Sequence, residues 1–383
     1  MEPVIRASGI DGRARVLVAL GTRPEAIKLA PVIRELRRRQ WADVRVVSTA
    51  QHRHMVDQVL EFFGIDVDLD LDLMREDQSL ADLAGRMLPE LDRVLESERP
   101  DLVVAQGDTT TVMVTGLCCF YRQLPFAHVE AGLRSGAREA PFPEEMNRAV
   151  LGWLADLHFA PTEAARQNLL RENVSDDRIC VTGNTAVDAL RWAIDHSPPV
   201  ERPAPGQRPL LLVTAHRREN FGAPLTEICD ALRELAETRE LDVLFPVHPN
   251  PRVQSVTRSR LTGVAGVELV APLDYPDFVA AMQRAHLILT DSGGVQEEAP
   301  SLGTPVLVLR HATERPEGVE AGAATVVGPD RRAIIGSVAR LLDDPEEYAR
   351  MAQVRDPYGD GDASRRIADA LEGRVPAGLH AAN

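Results

Sequence analysis

The run Thr290-Asp291-Ser292-Gly293-Gly294-Val295-Gln296-Glu297-Glu298 has the residue types and order needed to hold a phosphorylated ligand. It follows an apolar stretch, His286-Leu287-Ile288-Leu289, that reads as a buried strand. It precedes a short helix that stops at Gly303, ahead of Pro305 and a second apolar run, Val306-Leu307-Val308-Leu309. Ser292, Gly293 and Gly294 let the backbone approach an anion closely, and unpaired N–H groups at a helix start point toward it. Glu298 falls about one helical turn further on, where a carboxylate can accept from ribose hydroxyls. The implied ligand is a nucleoside diphosphate. Glycine pairs also serve as plain turn chemistry, so this reading rests on the strand and helix around them. The two common phosphate fingerprints are absent. No G-x-x-x-x-G-K-[ST] occurs, and Gly359-Asp360-Gly361 lacks the third glycine and the preceding strand of a dinucleotide motif.

A second group of residues could move protons. Asp108 lies in Gln106-Gly107-Asp108-Thr109-Thr110-Thr111, directly after the apolar run Leu102-Val103-Val104-Ala105. Glu130 ends another such run in His128-Val129-Glu130-Ala131-Gly132-Leu133-Arg134, and Glu144 opens a helix in Pro143-Glu144-Glu145-Met146-Asn147-Arg148. Each carboxylate alone could equally be a helix cap or an ion-pair partner. Together, with Arg23, Lys28 and Arg148, they form a titratable cluster of the kind that acid–base chemistry needs. Lys28 is the one lysine among 43 basic residues, in Gly21-Thr22-Arg23-Pro24-Glu25-Ala26-Ile27-Lys28, so this position is expected to need a compact ammonium. His216, in Thr214-Ala215-His216-Arg217-Arg218-Glu219-Asn220, follows a further strand and is the candidate for contacting the diphosphate as it leaves. Asp66-Val67-Asp68-Leu69-Asp70-Leu71-Asp72 has the look of a D-x-D metal site, but its alternation reads better as a strand with one wet face. His52-Arg53-His54 lacks the cysteine or carboxylate pattern of a zinc site. No metal and no cofactor is expected.

The elements that must position these residues alternate. Strands are expected at 15–20, 44–48, 101–105, 125–129 and 157–160, with helices such as 25–38, 53–63 and 78–97 between them. After the Pro-rich stretch from Ser197 to Pro209 the pattern restarts. Strands are expected at 210–214, 242–246, 286–290, 306–309 and 324–327, and helices at 224–237, 276–284 and 331–342. Repeated βα units predict parallel sheets covered by helices on both faces. The fold expected is α/β, two doubly wound Rossmann-like domains with a cleft between them. The 383 residues suit two domains, and 44% hydrophobic content suits full cores.

Charge and cysteine usage exclude other classes. The net charge of −15, with no basic run beyond Arg37-Arg38-Arg39, argues against nucleic acid or an anionic membrane as partner. Cys118, Cys119, Cys180 and Cys229 have no metal spacing, and no apolar run approaches the length of a membrane span. Met1 to Arg15 has no apolar core of a signal peptide, so a reduced, cytoplasmic protein is expected.

The motifs resemble those of the non-hydrolysing bacterial UDP-N-acetylglucosamine 2-epimerases over roughly residues 15 to 372. They run as GTRPEAIK, TAQHR, QGDTTT, HVEAGLR, PFPEEMNR, TGNTAVDAL, TAHRREN, PVHPNP, LTDSGGVQEEAPSLGTPVLVLR, TERPE and PYGDG. The resemblance implies the glycosyltransferase-B architecture. Residues 1–188 would form an N-terminal domain on the sugar side, 189–360 a C-terminal domain on the UDP side, and 361–383 a helix crossing back to the first domain. It implies a UDP-sugar as substrate and a homodimer as the assembly. It assigns catalysis to Asp108, Glu130, Glu144 and His216, and substrate or UDP binding to Arg23, Lys28, Arg148, Ser292, Gly293, Gly294, Glu298 and Arg315. Gln51 and His52 match a region where some bacterial members hold a second, activating UDP-sugar, whereas His54 and Asp77 depart from it. Asp356 stands where the family usually has Asn.

That chemistry fits the residues. The sugar C2 proton is not beside a carbonyl, and no nicotinamide site offers oxidation, so elimination remains. UDP leaves C1 as C2 loses its proton, and UDP adds back as C2 is protonated on the other face. Proton transfer on two faces needs more than one acid or base, which suits several carboxylates. The alternatives are a retaining glycosyltransferase, which needs an acceptor; a hydrolysing epimerase, which releases free N-acetylmannosamine; and a non-catalytic nucleotide-sugar sensor.

Overall fold

The computed structural model describes residues 12–49, 53–75, 78–201 and 208–374. The chain divides into two compact units, one running up to Ala189 and resuming at Gly359, the other spanning Leu190–Tyr358.

The first unit alternates strand and helix throughout. Its elements are β1 (Ala14–Leu20), α1 (Arg23–Arg38), β2 (Ala42–Ser48), α2 (Arg53–Phe62), β3 (Leu69–Asp70), α3 (Leu80–Glu98), β4 (Leu102–Gln106), α4 (Thr110–Arg122), β5 (Phe126–Val129), α5 (Glu144–Leu154), β6 (Leu157–Ala160), α6 (Glu163–Arg171), β7 (Ile179–Val181) and α7 (Thr185–Asp195). The central strands are almost wholly apolar, as a parallel strand covered on both faces must be. Val16 to Leu20 and Leu102 to Ala105 are all buried. The strands pair in parallel in the order β3-β2-β1-β4-β5-β6-β7. One core beneath the sheet packs Leu17, Val103 and Phe126 against Leu83, Met87 and Leu91 of α3 and Val112 and Cys118 of α4.

The second unit repeats the plan. It contains β8 (Leu210–Thr214), α8 (Ala223–Thr238), β9 (Asp242–Pro246), α9 (Pro251–Leu261), β10 (Val267–Val270), α10 (Tyr275–Arg284), β11 (Leu287–Thr290), α11 (Gly293–Glu298), β12 (Val306–Val308), α12 (Pro316–Glu320), β13 (Ala324–Val326), α13 (Arg331–Asp343) and α14 (Pro345–Gln353). All its strand pairs are parallel, in the order β10-β9-β8-β11-β12-β13. Its core gathers Val213, Phe245 and Leu289 from the sheet with Ile228 and Leu232 of α8 and Ile334 and Val338 of α13.

The chain ends in α15 (Ala363–Glu372), which belongs to the first unit and packs on α1. Arg39 pairs with Asp369 at 2.7 Å and Glu372 at 3.0 Å. Asp188 receives the Ser364 and Ala363 N–H groups at 2.7 and 3.2 Å and so satisfies the start of this helix. The chain reaches it through Gly359, whose backbone has φ +117°. A Cβ there would stand 2.8 Å from the Gly183 Cα, so both positions need glycine.

Three details differ from the expected pattern. The alternating Asp66 to Asp72 run forms a strand only at Leu69 and Asp70, at the sheet edge, because Asp68 turns its side chain back onto the Val46 N–H at 2.8 Å and onto Arg45 at 2.8 Å. The edge strands β7 and β10 carry no strand signal strong enough to stand out, being short and incompletely buried. Asp356 takes φ +55°, a left-handed conformation that Asn and Asp tolerate better than other side chains, so its replacement of the expected Asn keeps the backbone requirement. Among the described residues no helix is long and apolar enough to cross a membrane.

Candidate active site

In a sheet of order 3-2-1-4-5-6 the chain reverses direction of travel between strands 1 and 4. The crevice at their carboxyl ends is where such sheets bind ligands. The first unit has that point between β1 and β4, and the second between β8 and β11. Arg23, Lys28 and Asp108 fall at the first, and His216 and the Ser292–Gly294 turn at the second; Glu130 follows β5, Glu144 and Arg148 belong to α5, and Arg315 follows β12.

In the first unit Asp108 follows β4 and accepts from Arg148 Nε at 2.8 Å and Nη2 at 2.7 Å. Asn147, next to Arg148 on α5, donates its amide to the Asp108 carbonyl at 2.7 Å. Arg148 is buried, and its Nη1 reaches Glu145 at 3.0 Å. Glu145 also accepts from the Ser135 and Gly136 N–H groups at 3.0 and 3.2 Å. The α5 carboxylate engaged with Arg148 is therefore Glu145, while Glu144 is the half-buried first residue of the helix.

Glu130 follows β5 with φ +64°, an uncommon conformation for a residue with a long side chain. Its carboxylate is held by Lys28 of α1, by the Gln106 amide at the end of β4, and by the Asn184 amide at 3.1 Å. Both members of the Lys28–Glu130 pair are buried, with side chains 8% and 7% exposed. The lone lysine thus meets a carboxylate in a dry site. His128, between these groups in β5, contacts the Gly107 carbonyl through Nε2 at 2.7 Å. Burial pushes its pKa down to about 4, so the neutral ring donates from Nε2 to that carbonyl. Arg23 is the first residue of α1 and is half-buried.

In the second unit Asp291 follows β11 and is fully buried. It accepts from the His216 N–H at 2.9 Å, the Arg217 N–H at 2.8 Å and the Asn220 amide at 2.9 Å, and it stands 3.3 Å from His216 Nδ1. The His216 ring stacks on His248 at 5.5 Å. Burial lowers the His216 pKa, and the Asp291 charge works against that. With Nδ1 facing a carboxylate, the other ring nitrogen is left to meet a ligand.

The Ser292 N–H is spent on Thr290 Oγ1 at 2.9 Å, which tightens the turn before α11. A Cβ at Gly293 would lie 2.5 Å from Cζ of Arg315, so a side chain there would have to displace that guanidinium. Gly294 has open space instead. Buried Arg315 binds Glu297 at 2.8 Å and Glu314 at 2.5 Å, so its guanidinium is fixed beside the turn. Glu314 is also paired with Arg310, and although burial alone would raise its pKa, the two guanidiniums hold it far below the usual carboxylate range. Glu298 is buried and accepts from the Tyr275 hydroxyl at 3.2 Å. Gln51 and His52 lie outside the described residues.

The structure thus brings Lys28 to Glu130, Asp108 to Arg148, and Arg315 to the Ser292–Gly294 turn. Sequence reasoning missed Glu25, Glu145 and Asp291. Two of these had a signal: Thr22-x-x-Glu25 has capping-box spacing, and Asp291 immediately precedes the phosphate-type turn.

Two parallel-sheet units, one carrying clustered carboxylates and the other a glycine turn beside a histidine, are those of a glycosyltransferase-B type protein. Comparison with known proteins narrows this. A family profile described as UDP-N-acetylglucosamine 2-epimerase matches residues 34–372. The UDP-N-acetylglucosamine 2-epimerase of Bacillus subtilis is 49% identical over 362 residues, covering 94% of this chain and 95% of the relative. The crystal structure of the Neisseria meningitidis UDP-GlcNAc 2-epimerase bound to UDP-GlcNAc superposes with TM-score 0.88 at 42% identity, covering 94% of this chain and all of that one. A UDP co-structure of MnaA from S. aureus gives TM-score 0.88 at 43% identity over 94% of this chain and 96% of that one. The chain belongs to the UDP-N-acetylglucosamine 2-epimerase family.

Proposed function

We propose that this enzyme interconverts UDP-N-acetylglucosamine and UDP-N-acetylmannosamine by eliminating UDP and adding it back. The observation that carries the reading is the pair of fixed carboxylate–cation contacts at the β4 and β5 ends, Asp108 with Arg148 and Glu130 with Lys28. They supply two distinct carboxylates for a reaction that moves a proton on two faces of one carbon. The family match and the UDP-GlcNAc and UDP complexes of its relatives support the choice of substrate.

In the forward direction a base takes the C2 proton. The C2–H electron pair forms the C1–C2 double bond, and the C1–O bond breaks with its electrons going to UDP. The products of this step are 2-acetamidoglucal and UDP. In the second step a UDP phosphate oxygen attacks C1, the double bond collapses onto C2, and C2 accepts a proton on the opposite face. Asp108, Glu130 and Glu144 are the proton-transfer set. His216, oriented by Asp291, and the Ser292–Gly294 turn receive the charge that develops on the departing diphosphate. Arg23, Arg148 and Arg315 add positive charge, and Glu298 takes the ribose hydroxyls. Fixed donors serve here because UDP must be stabilised as it leaves and yet kept for return.

Proton NMR of UDP-N-acetylglucosamine with the enzyme in deuterium oxide tests this. Conversion to the 2-epimer with deuterium at C2 alone is expected. Free N-acetylmannosamine would point to hydrolysis, and an unchanged substrate that turns over only with an added acceptor would point to glycosyl transfer. Either result overturns the proposal.

A further inference from the structure

Each unit ties the two loops of its ligand crevice together with one buried carboxylate. In the second unit this is Asp291, which starts in the loop after β11 and captures two N–H groups of the loop after β8. The first unit has the same device built from the other side. Glu25 sits in the first turn of α1, after β1, and is 2% exposed. One carboxylate oxygen accepts from the Gly21 N–H at 2.7 Å and the Thr22 N–H at 2.8 Å, fixing the turn that carries Arg23. The other accepts from the hydroxyl of Thr109, in the loop after β4 and one residue beyond Asp108.

The Gly21 turn also lies close to Thr49, which follows β2, and to Thr111, in the first turn of α4. The Thr49 and Thr111 hydroxyls meet at 3.0 Å, and a Cβ on Gly21 would stand 2.2 Å from the first and 2.5 Å from the second. A side chain at position 21 would have to displace both hydroxyls, and Glu25 is the group that spans the β1 and β4 loops. Thr109 is the N-cap residue of α4, but its hydroxyl makes no cap bond to that helix. That hydroxyl serves Glu25 instead.

We propose that Glu25 is a positioning residue for the epimerisation, holding the Arg23 turn and the Asp108 loop in register across the β1–β4 crevice. The proposal rests on the assignment of Asp108 to proton transfer. Its substance is geometric: a bridge of fixed length joins the loop that carries the acid–base group to the loop that carries a substrate-binding arginine. Small misplacement of an acid–base group costs rate more than binding. Of the UDP contacts proposed above, that of Arg23 depends on the turn held by Glu25, and Thr109→Val leaves the Gly21 and Thr22 bonds that fix this turn in place.

Four variants test this. Thr109→Val keeps the shape of the side chain and removes only the donated hydrogen. It is expected to lower kcat by roughly 10-fold while UDP affinity measured by calorimetry stays at the wild-type value. Glu25→Leu is expected to lower kcat by roughly 10- to 100-fold, and adding Thr109→Val to it is expected to cost nothing further, because the shared bridge is already gone. Glu25→Gln is expected to stay within about 3-fold of wild type, since one amide oxygen can accept both N–H groups while the amide nitrogen donates to the turned Thr109 hydroxyl. A Thr109→Val enzyme as fast as wild type, or additive losses in the double variant, overturns the proposal while leaving the epimerase reading intact. A wild-type enzyme that does not convert UDP-N-acetylglucosamine overturns both, and is recognised before any variant is made.

Discussion

Replacing Lys28 by methionine tests the structure where its electrostatics are most exacting. The ammonium and the Glu130 carboxylate are each more than nine-tenths buried. Removing one partner of a buried pair typically costs about 3–5 kcal/mol, because the other charge stays desolvated. Here the Gln106 and Asn184 amides continue to donate to Glu130, which places the expected loss near the lower end, about 3 kcal/mol. For a unit of roughly 200 residues that corresponds to a melting temperature lower by about 6–12 °C. Lys28→Met/Glu130→Gln removes the stranded charge and keeps the Asn184 contact, with the Gln106 amide turning its oxygen to the new NH2 group, so it should recover most of the loss without recovering turnover. Differential scanning calorimetry of wild type and both variants at pH 8 makes the comparison. If Lys28→Met melts within about 2 °C of wild type, or if the double variant melts below the single one, the pair is wetter or weaker than the geometry implies and the reasoning fails. The same arithmetic explains why a chain that otherwise uses arginine keeps one lysine. A guanidinium brings five donors where a compact ammonium brings three, and leaves more of them to be satisfied in a dry pocket.

Two further outcomes follow from burial. Burial pushes the Glu25 pKa up to about 7, against the opposing pull of the Thr109, Gly21 and Thr22 hydrogen bonds. Folding thus raises this pKa, so the contribution of Glu25 to stability is complete below pH 4.5 and is lost as pH rises through 7. Glu25→Gln has no such titration, and urea unfolding of both proteins from pH 4.5 to 8 should show wild type losing about 3 kcal/mol relative to the variant; parallel curves would contradict it. Burial likewise raises the thiol pKa of Cys118 to about 11 and of Cys229 to about 12, and holds that of Cys119 well above its ordinary value. Iodoacetamide at pH 8 should therefore modify half-buried Cys180 first and reach the other three only in denaturant, as read by intact-protein mass spectrometry.

The parts legible in the sequence were those encoded by local pattern. The runs Val16–Leu20, Leu102–Ala105, Leu210–Val213 and Leu287–Leu289 are uniformly apolar because parallel strands are covered on both faces, and the structure makes strands of them all. The glycine turn at Ser292 was visible because its composition is set by close approach, and Gly293 has Arg315 against it. What the sequence concealed depends on contacts across long separations. Lys28 reads as a ligand-binding residue from its loop, but its carboxylate partner lies 102 residues away. Glu144 and Glu145 are indistinguishable in the string Pro-Glu-Glu-Met, and only the direction of α5 turns Glu145 toward Arg148. The Asp66 to Asp72 alternation has the period of a strand, but side-chain bonds to Val46 and Arg45 limit it to two residues.

The two units solve the same topological problem with different electrostatics, and the difference matches the proposed division of chemistry. At the β8–β11 crevice the dry, charged groups (Glu297, Glu314, Arg310 and Arg315) are paired with one another, and a glycine turn opens α11 above them. Such a site receives negative charge through fixed donors and needs no proton exchange, which suits a diphosphate that must leave and return unchanged. At the β1–β4 crevice carboxylates dominate: Glu25, Asp108, Glu130 and Glu145 are each held by specific donors or cations. A base that takes the C2 proton must be reachable by the substrate carbon. Asp108 meets that demand best, because a quarter of its side chain is exposed while Glu130 and Glu145 are almost wholly enclosed. Exchanging Asp108 for Asn should therefore abolish deuterium entry at C2 while UDP affinity persists. Retained exchange in that variant would transfer the proton-abstracting role to another carboxylate.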